Sequence, residues 1–239
     1  MKNVKKAIAL AAVIFGVSTA SFAQNGFTVR AGGNFPVGAF GKGDVKDIAL
    51  VNVKSLNGGA AIGFNAGVKY QLGIIGNLGV FGTADFFYNG LKSDIKEAWK
   101  GDNENIKLPT YMNIPVMLGA NYTILDIIGT TLWVEAGAGA NFRNISSSTA
   151  SAALGSLISG DTESDYNLST TFAWQAGIGV SLDNTITLGL HYYAFGSSEI
   201  KGETISSGNL GSLGGEFKNE FTSGKLNPSM VVVRLGYTF

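Results

Sequence analysis

The last eleven residues of the chain, 229–239, restrict the fold more than any other stretch. Their sequence, S-M-V-V-V-R-L-G-Y-T-F, alternates between two kinds of side chain. Because successive side chains of a β-strand point to opposite faces, this alternation predicts a strand with two unlike faces. One face includes Arg234 and Gly236. The other face is wholly apolar and consists of Val231, Val233, Leu235, Tyr237 and Phe239.

Seven further segments alternate with the same period of two and are bounded by turn-forming residues. Such segments are typical of β-strands that have one apolar face. Together with the terminal strand they predict an all-β fold of eight strands. The predicted strands are residues 25–35, 60–72, 78–89, 108–122, 131–143, 169–182, 185–196 and 229–239.

The connections between these strands alternate in length. Long ones (36–59, 90–107, 144–168 and 197–226) follow every odd-numbered strand, and short ones (73–77, 123–130 and 183–184) follow the even-numbered strands. An up-and-down barrel of the outer-membrane type has this arrangement, with short periplasmic turns and longer extracellular loops. We therefore predict an eight-stranded antiparallel up-and-down transmembrane β-barrel with four long extracellular loops.

Two local features add expectations. Pro115 lies inside the fourth predicted strand, where a missing N–H predicts a β-bulge or a water molecule at the orphan carbonyl. The two longer short connections resemble each other, L-G-I-I-G-N-L from Leu72 and L-D-I-I-G-T-T-L from Leu125. Either their paired isoleucines enter the headgroup layer, or the two hairpins are similar by chance.

The size of the side chains indicates which face points inward. An eight-stranded barrel has an interior just wide enough to be filled by side chains. The apolar face carries Trp174, five tyrosines and several phenylalanines, whereas the opposite face is rich in glycine. We therefore expect the apolar face to contact lipid and the glycine-rich face to line the lumen. Tyr and Trp at strand ends are interpreted as interfacial anchors.

All six charged residues inside the predicted strands fall on the glycine-rich face. Buried charges are tolerated when they are paired and hydrogen-bonded. Arg30 and Arg234 lie on strands that adjoin where the barrel closes, so two like charges become neighbours. We predict that the two carboxylates bridge the cations and that this lumen charge network plugs the barrel. Its members are Arg30, Lys69, Asp85, Glu135 and Arg234.

The first 23 residues are predicted to be a secretory signal peptide. Lys2, Lys5 and Lys6 precede an apolar run at residues 7–17, and Ala23 ends a small-residue cleavage site. The run is too short for a membrane-spanning helix, which needs about 20 apolar residues. We therefore expect residues 1–23 to be a signal peptide and residues 24–239 to form the barrel domain.

Composition excludes several classes of function. Three of the 17 basic residues and none of the 17 acidic ones lie in the predicted signal peptide. The remaining chain is therefore slightly acidic, which does not favour nucleic-acid binding. With no cysteine and a single histidine, His191, a disulfide framework or a zinc site is not expected. We predict no metal site and no cofactor.

Five stretches are similar to the porin-family outer-membrane β-barrel domain of small Gram-negative surface proteins. They are V-R-A-G-G-N-F from Val29, Y-M-N-I-P-V-M-L from Tyr111, A-G-I-G-V-S-L from Ala176, L-G-L-H-Y-Y from Leu188 and the final L-G-Y-T-F. The resemblance implies export through the periplasm to the cell outer membrane, where the protein would contact lipid and lipopolysaccharide.

The terminal strand also resembles the C-terminal signature of Gram-negative outer-membrane barrels. In that family the barrel assembly machinery reads this strand during biogenesis. The resemblance therefore implies an assembly signal, whose residues in this chain are Val233, Leu235, Tyr237 and Phe239.

Three functions are compatible with these observations. The first is a non-catalytic surface or envelope protein with a plugged lumen, whose four long loops would bind an extracellular ligand. The second is a narrow porin-like channel for small solutes, and the third is a lipid A-modifying enzyme. Lipid A deacylase barrels place a serine two residues after a histidine, but here that position is Tyr193. Because this pair is absent, we expect no enzymatic activity.

Overall fold

The computed structural model of the protein describes residues 25–43, 57–100, 107–153, 158–210 and 213–239. The predicted signal peptide lies outside these residues. The described elements are β1 (Gly26–Val37), α1 (Gly38–Gly41), β2 (Gly63–Ile75), β3 (Leu78–Asn89), α2 (Ser93–Lys100), β4 (Tyr111–Ile127), β5 (Thr130–Ile145), β6 (Ser148–Ala153), β7 (Ile158–Tyr166), β8 (Ser169–Leu182), β9 (Ile186–Ala194), β10 (Ser198–Leu210), β11 (Leu213–Leu226) and β12 (Ser229–Thr238). Neither α1 nor α2 has the length and apolarity that a helix needs to cross a bilayer, and these are the helices within the described ranges.

Eight of the strands close into an antiparallel barrel in the order β1-β12-β9-β8-β5-β4-β3-β2. The barrel closes because β1 pairs with β2 on one side and with β12 on the other, so that Thr28 lies between Lys69 and Thr238. A closed barrel pairs the backbone groups of every strand and leaves no sheet edge. The predicted eight-stranded antiparallel barrel is confirmed.

Two of the predicted short connections are longer than the turns in the structure. The predicted turns span 73–77 and 123–130, whereas the turns in the structure span Gly76–Asn77 and 128–129. The flanking strands extend further because their pairing continues past an irregularity. Both hairpins shift register at matching places, between Gly73 and Ile75 in one and between Thr123 and Leu125 in the other. An extra residue at each shift lets the strands extend into what alternation marks as a turn.

Of the two alternatives predicted for Pro115, the β-bulge is wrong. Pro115 lies opposite Asn141 of β5 in unbroken register. On its other side, the pairs Ala84–Val116 and Phe87–Asn113 keep the same register, although the positions between them are unpaired. Proline therefore removes local ladder bonding to β3 without inserting a residue.

The expectation that residues 144–168 and 197–226 are loops is also wrong. They contain the hairpins β6–β7 and β10–β11, which form a four-stranded sheet in the order β11-β10-β7-β6. The two hairpins join because β10 pairs with β7, for example Gly202 with Tyr166. The hairpins follow β5 and β9 at the barrel end opposite the short turns, so the sheet projects from the end that carries the long connections.

The hydrophobic core lies inside the outer half of the barrel, the half near the hairpins. Phe40 of α1 and Ile95 of α2 are fully buried and belong to the same cluster as lumen-facing side chains of the strands. Phe40 packs edge-on against Tyr111, with ring centroids 5.1 Å apart. The two short helices therefore cap this end of the lumen.

Ile128 gives the first testable prediction. It has φ of 44° and is 98% exposed at the tip of the β4–β5 turn, where Gly129 follows with φ of 74°. A β-branched residue is strained in this region by about 1–3 kcal/mol, and Asn-Gly is the preferred pair for such turns. Ile128→Asn should raise the free energy of unfolding by about 1 kcal/mol in urea titrations in detergent micelles.

Ile127→Asn serves as the control, because Ile127 is also exposed but lies in β4 outside this backbone region. It should give no such gain. A loss of stability for Ile128→Asn that appears in lipid bilayers and not in micelles would instead indicate that Ile128 enters the headgroup layer.

Candidate functional site

The structure brings the five predicted lumen charges together at mid-depth of the barrel. Each of them is more than nine-tenths buried, although they come from five different strands. Arg30 binds Asp85 through two hydrogen bonds, from Nε to Oδ1 at 3.1 Å and from Nη2 to Oδ2 at 2.8 Å. Arg234 approaches the same carboxylate, with 3.5 Å between Nη1 and Oδ1. One carboxylate of β3 therefore bridges the two arginines that meet at barrel closure.

Glu135 forms the second centre of this network. Its Oε2 accepts a hydrogen bond from Lys69 Nζ at 2.5 Å, and its Oε1 lies 3.8 Å from Arg30 Nη1. Two residues that sequence reasoning did not include also contact Oε1: Gln175 donates through Nε2 at 3.1 Å, and His191 Nε2 lies at 3.1 Å. A carboxylate with this many donors is well compensated for its burial.

Tyr193 and Asn65 complete the network on the side of the core. Arg234 donates from Nε to Asn65 Oδ1 and from Nη1 to the Tyr193 hydroxyl, both at 2.7 Å. The Tyr193 hydroxyl in turn donates to Asp85 Oδ2 at 3.3 Å. The Arg234 guanidinium also lies over the rings of Phe87 and Tyr193, at 5.1 and 4.8 Å from their centroids. Arg234 therefore joins the charge network to an aromatic layer.

This aromatic layer was not predicted from the sequence. Phe87 contacts Tyr193 and Phe195, with ring centroids 5.0 and 5.1 Å apart, and all three are fully buried. Met230 and Val232 of β12 are buried in the same cluster. These residues occupy the lumen-facing positions of their strands. The sequence contains a signal for this layer, because near the outer strand ends the glycine-rich face changes to large apolar residues.

Arg143, the sixth charged strand residue, lies apart from the network at the outer end. Its guanidinium donates to the carbonyl oxygens of Phe195, Gly196 and Leu226 and to Ser198 Oγ. It therefore ties the outer ends of β5 and β9 to the starts and ends of the β10–β11 hairpin.

A cavity of about 470 Å³ occupies the other half of the lumen. It extends from the turns at Asn77 and Asn184 to the charge network, where Arg30, Lys69 and Glu135 line it. Many of its other lining residues are asparagine or threonine, and Trp133 donates a hydrogen bond to Ser181 Oγ at 2.9 Å. The lumen is thus polar and open toward the turns, but filled with packed side chains toward the hairpins.

The outer surface of the barrel carries the apolar face of every strand. Leu118, Leu188 and Leu235 are among its residues and are half or more exposed. Aromatic residues flank this band at two levels. Tyr122, Tyr237 and Phe239 lie near the turns, and Phe35, Phe64, Phe172, Trp174 and Tyr192 lie near the hairpins. The predicted assembly-signal residues Val233, Leu235, Tyr237 and Phe239 all lie on this exposed face.

The residues that the structure describes contain no group of three or more acidic, histidine or cysteine side chains that could hold a metal ion. The carboxylates of Glu135 and Asp85 accept hydrogen bonds from cationic and neutral side chains of the protein.

Comparisons with known proteins give structural neighbours only. No protein-family model and no curated protein matches the sequence. Among solved structures, the chain is similar to a major outer membrane protein from Thermus thermophilus, with 16% identity, coverage of 90% of this chain and 99% of that one, and a TM-score of 0.41. It is also similar to the outer membrane protein AlkL in DMPC bilayers, with 15% identity, 94% coverage of each chain and a TM-score of 0.36. Membership of the porin family stays a prediction.

The charge network gives a prediction on stability. Glu135→Gln leaves Lys69 without its carboxylate, and removing one partner of a buried ion pair costs about 3–5 kcal/mol. We expect a loss of this size in urea unfolding followed by tryptophan fluorescence. Adding Lys69→Met should restore part of it, because Lys69 is the cation nearest to Glu135.

Glu199→Gln provides a matched control in an exposed ion pair with Lys201. Exposed pairs contribute roughly 0–1 kcal/mol, so this change should have little effect. Equal stability of wild type and Glu135→Gln would show that the buried pair contributes nothing.

Proposed function

We propose that the protein is an integral outer-membrane barrel with a closed lumen, which acts as a non-catalytic surface protein that presents its outer connections and hairpins. The observation that carries this proposal is the stack of two filled layers across the lumen. The charge network forms one layer, and the aromatic layer with its helical cap forms the other.

The exterior of the barrel supports a position in a membrane. Outer-membrane barrels have an outward apolar band about 25 Å tall with aromatic girdles at both interfaces. This barrel has an exposed apolar band between two levels of aromatic residues, and the six charges of the predicted strands are buried in the lumen. The terminal strand presents Tyr237 and Phe239 at the turn end, which is the periplasmic end in this proposal.

A non-catalytic role is supported by the surroundings of His191. A lipid-modifying barrel needs its catalytic groups where lipid can reach them, but His191 is buried in the lumen beside Glu135. Tyr193, at the position where lipid A deacylases have serine, is also buried and bonded to Asp85 and Arg234. This arrangement favours a structural role for both side chains.

A narrow channel is the second candidate, and the polar cavity favours it. The cavity at the turn end of the lumen is lined by many amide and hydroxyl side chains. Among the described residues, the two filled layers separate this cavity from the hairpin side, so a rearrangement of those layers would open a path. Conductance therefore distinguishes the two candidates.

Purified wild-type protein should show no steady current in planar lipid bilayers. Phe87→Ala combined with Tyr193→Ala removes a contacting ring pair from the aromatic layer. It also removes the hydroxyl that binds Asp85 and Arg234 in the charge network, so both layers are weakened and stepwise currents should appear. Trp174→Ala combined with Tyr192→Ala is the matched control, because this pair has a similar ring distance of 5.3 Å but lies on the outer face. The control should stay closed. Steady stepwise conductance of the wild type would favour the channel.

Deletion of Phe239 tests the proposed assembly signal. Phe239 is 75% exposed at the barrel end, where even a charged residue costs only about 0–1 kcal/mol of folding free energy. The purified variant should therefore refold in micelles almost like the wild type, whereas its amount in outer-membrane fractions should fall strongly. Deletion of Phe239 with normal membrane levels would contradict recognition of this residue.

A further inference from the structure

We propose that the polar cavity at the turn end of the lumen binds a hydroxylated anion of monosaccharide size, such as a sugar phosphate or a sugar acid. Its volume of about 470 Å³ falls within the range typical of small-molecule sites, about 300–1,000 Å³. The cavity lies on the turn side of the charge network, so binding there does not depend on whether the lumen conducts.

The charge balance at the inner end of the cavity favours an anion. The network holds three cations (Arg30, Lys69 and Arg234) and two carboxylates (Asp85 and Glu135), so one positive charge has no counter-charge within it. Asp126 also lines the cavity, but it is exposed near the mouth. A buried charge without a partner is costly, and an anionic ligand would supply the missing one.

One residue at this inner end has an unpaired donor. Arg234 lines the cavity and is only 2% exposed, yet its Nη2 has no hydrogen-bond partner among the described residues. Its Nε and Nη1 are already held by Asn65 and Tyr193, which fix the plane of the guanidinium. Arginine binds carboxylate and phosphate oxygens well because its donors have a fixed geometry.

Two unpaired acceptors favour a ligand that also carries hydroxyl groups. Asn121 Oδ1 and His191 Nδ1 are buried without hydrogen-bond partners among the described residues, and both residues line the cavity. When His191 Nε2 donates to Glu135 Oε1, its Nδ1 is left as an acceptor. A simple anion such as chloride offers no donor to these atoms, whereas the hydroxyl groups of a sugar phosphate or sugar acid do.

Trp133 provides a reporter because it lines this cavity, and the chain has three tryptophans in total. The test uses the full barrel in micelles with Trp99→Phe and Trp174→Phe, at constant ionic strength. Glucose 6-phosphate, glucuronate, glucose and acetate are titrated separately. We expect a saturable change of Trp133 fluorescence with glucose 6-phosphate or glucuronate. Glucose and acetate should bind with an affinity at least about tenfold lower.

Arg234→Gln should lower the affinity for the charged sugars by about tenfold or more. Lys225 is an exposed cation on β11, so Lys225→Gln should leave this affinity unchanged. If Arg234→Gln does not fold into a heat-modifiable barrel, Asn121→Ala provides the comparison and should also weaken binding. The proposal is wrong if neither charged sugar gives saturation, if glucose binds as tightly as glucose 6-phosphate, or if the folded site variants bind like the wild type.

Discussion

Closure of the barrel between β1 and β12 is the constraint on which the rest of the structure depends. Ten residue pairs, from Thr28–Thr238 to Val37–Ser229, join the first strand to the last and remove both edges of the sheet. The same pairing places Arg30 beside Gly236 and Arg234 beside Gly32, so two guanidinium groups share one narrow space. Asp85 of β3 lies within 2.8 Å of the first and 3.5 Å of the second. Closure therefore brings the two arginines to a carboxylate of β3, which is separated from β1 by β2.

Much of the wall could be predicted from the sequence because alternation depends on local chemistry. The bounds of β3 and β8 match the predicted segments 78–89 and 169–182, and the six charged residues of the predicted strands are all buried in the lumen. The partners within the network could not be predicted, because the depth of a residue depends on strand tilt and stagger. The structure supplies these partners: Asp85 contacts both arginines, and Glu135 contacts Lys69 and, at 3.8 Å, Arg30.

The hairpins and the aromatic layer were missed for different physical reasons. Residues 144–168 and 197–226 are rich in serine and glycine, and no face of them is consistently apolar, so period-two analysis finds no strand there. Backbone pairing between β7 and β10 forms the sheet instead. Alternation does not predict the aromatic layer, because it gives each strand a lumen face that is polar and glycine-rich along its whole length. The lumen changes from polar to apolar along its axis, so that Thr83 and Phe87 of β3 share one face.

The glycines of the lumen face explain how a narrow interior holds such large groups. The His191 ring packs where a Cβ of Gly177 or Gly189 would lie, and Trp133 occupies the corresponding space of Gly179. An eight-stranded interior has little room beyond its own side chains, and these rings fit because glycines lie beside them. Toward the turns, short residues such as Thr28, Thr187 and Thr238 take the lumen positions without a bulky neighbour crossing over them. The space left there is the polar cavity, so the same alternation of large and small residues both fills one half of the lumen and opens the other.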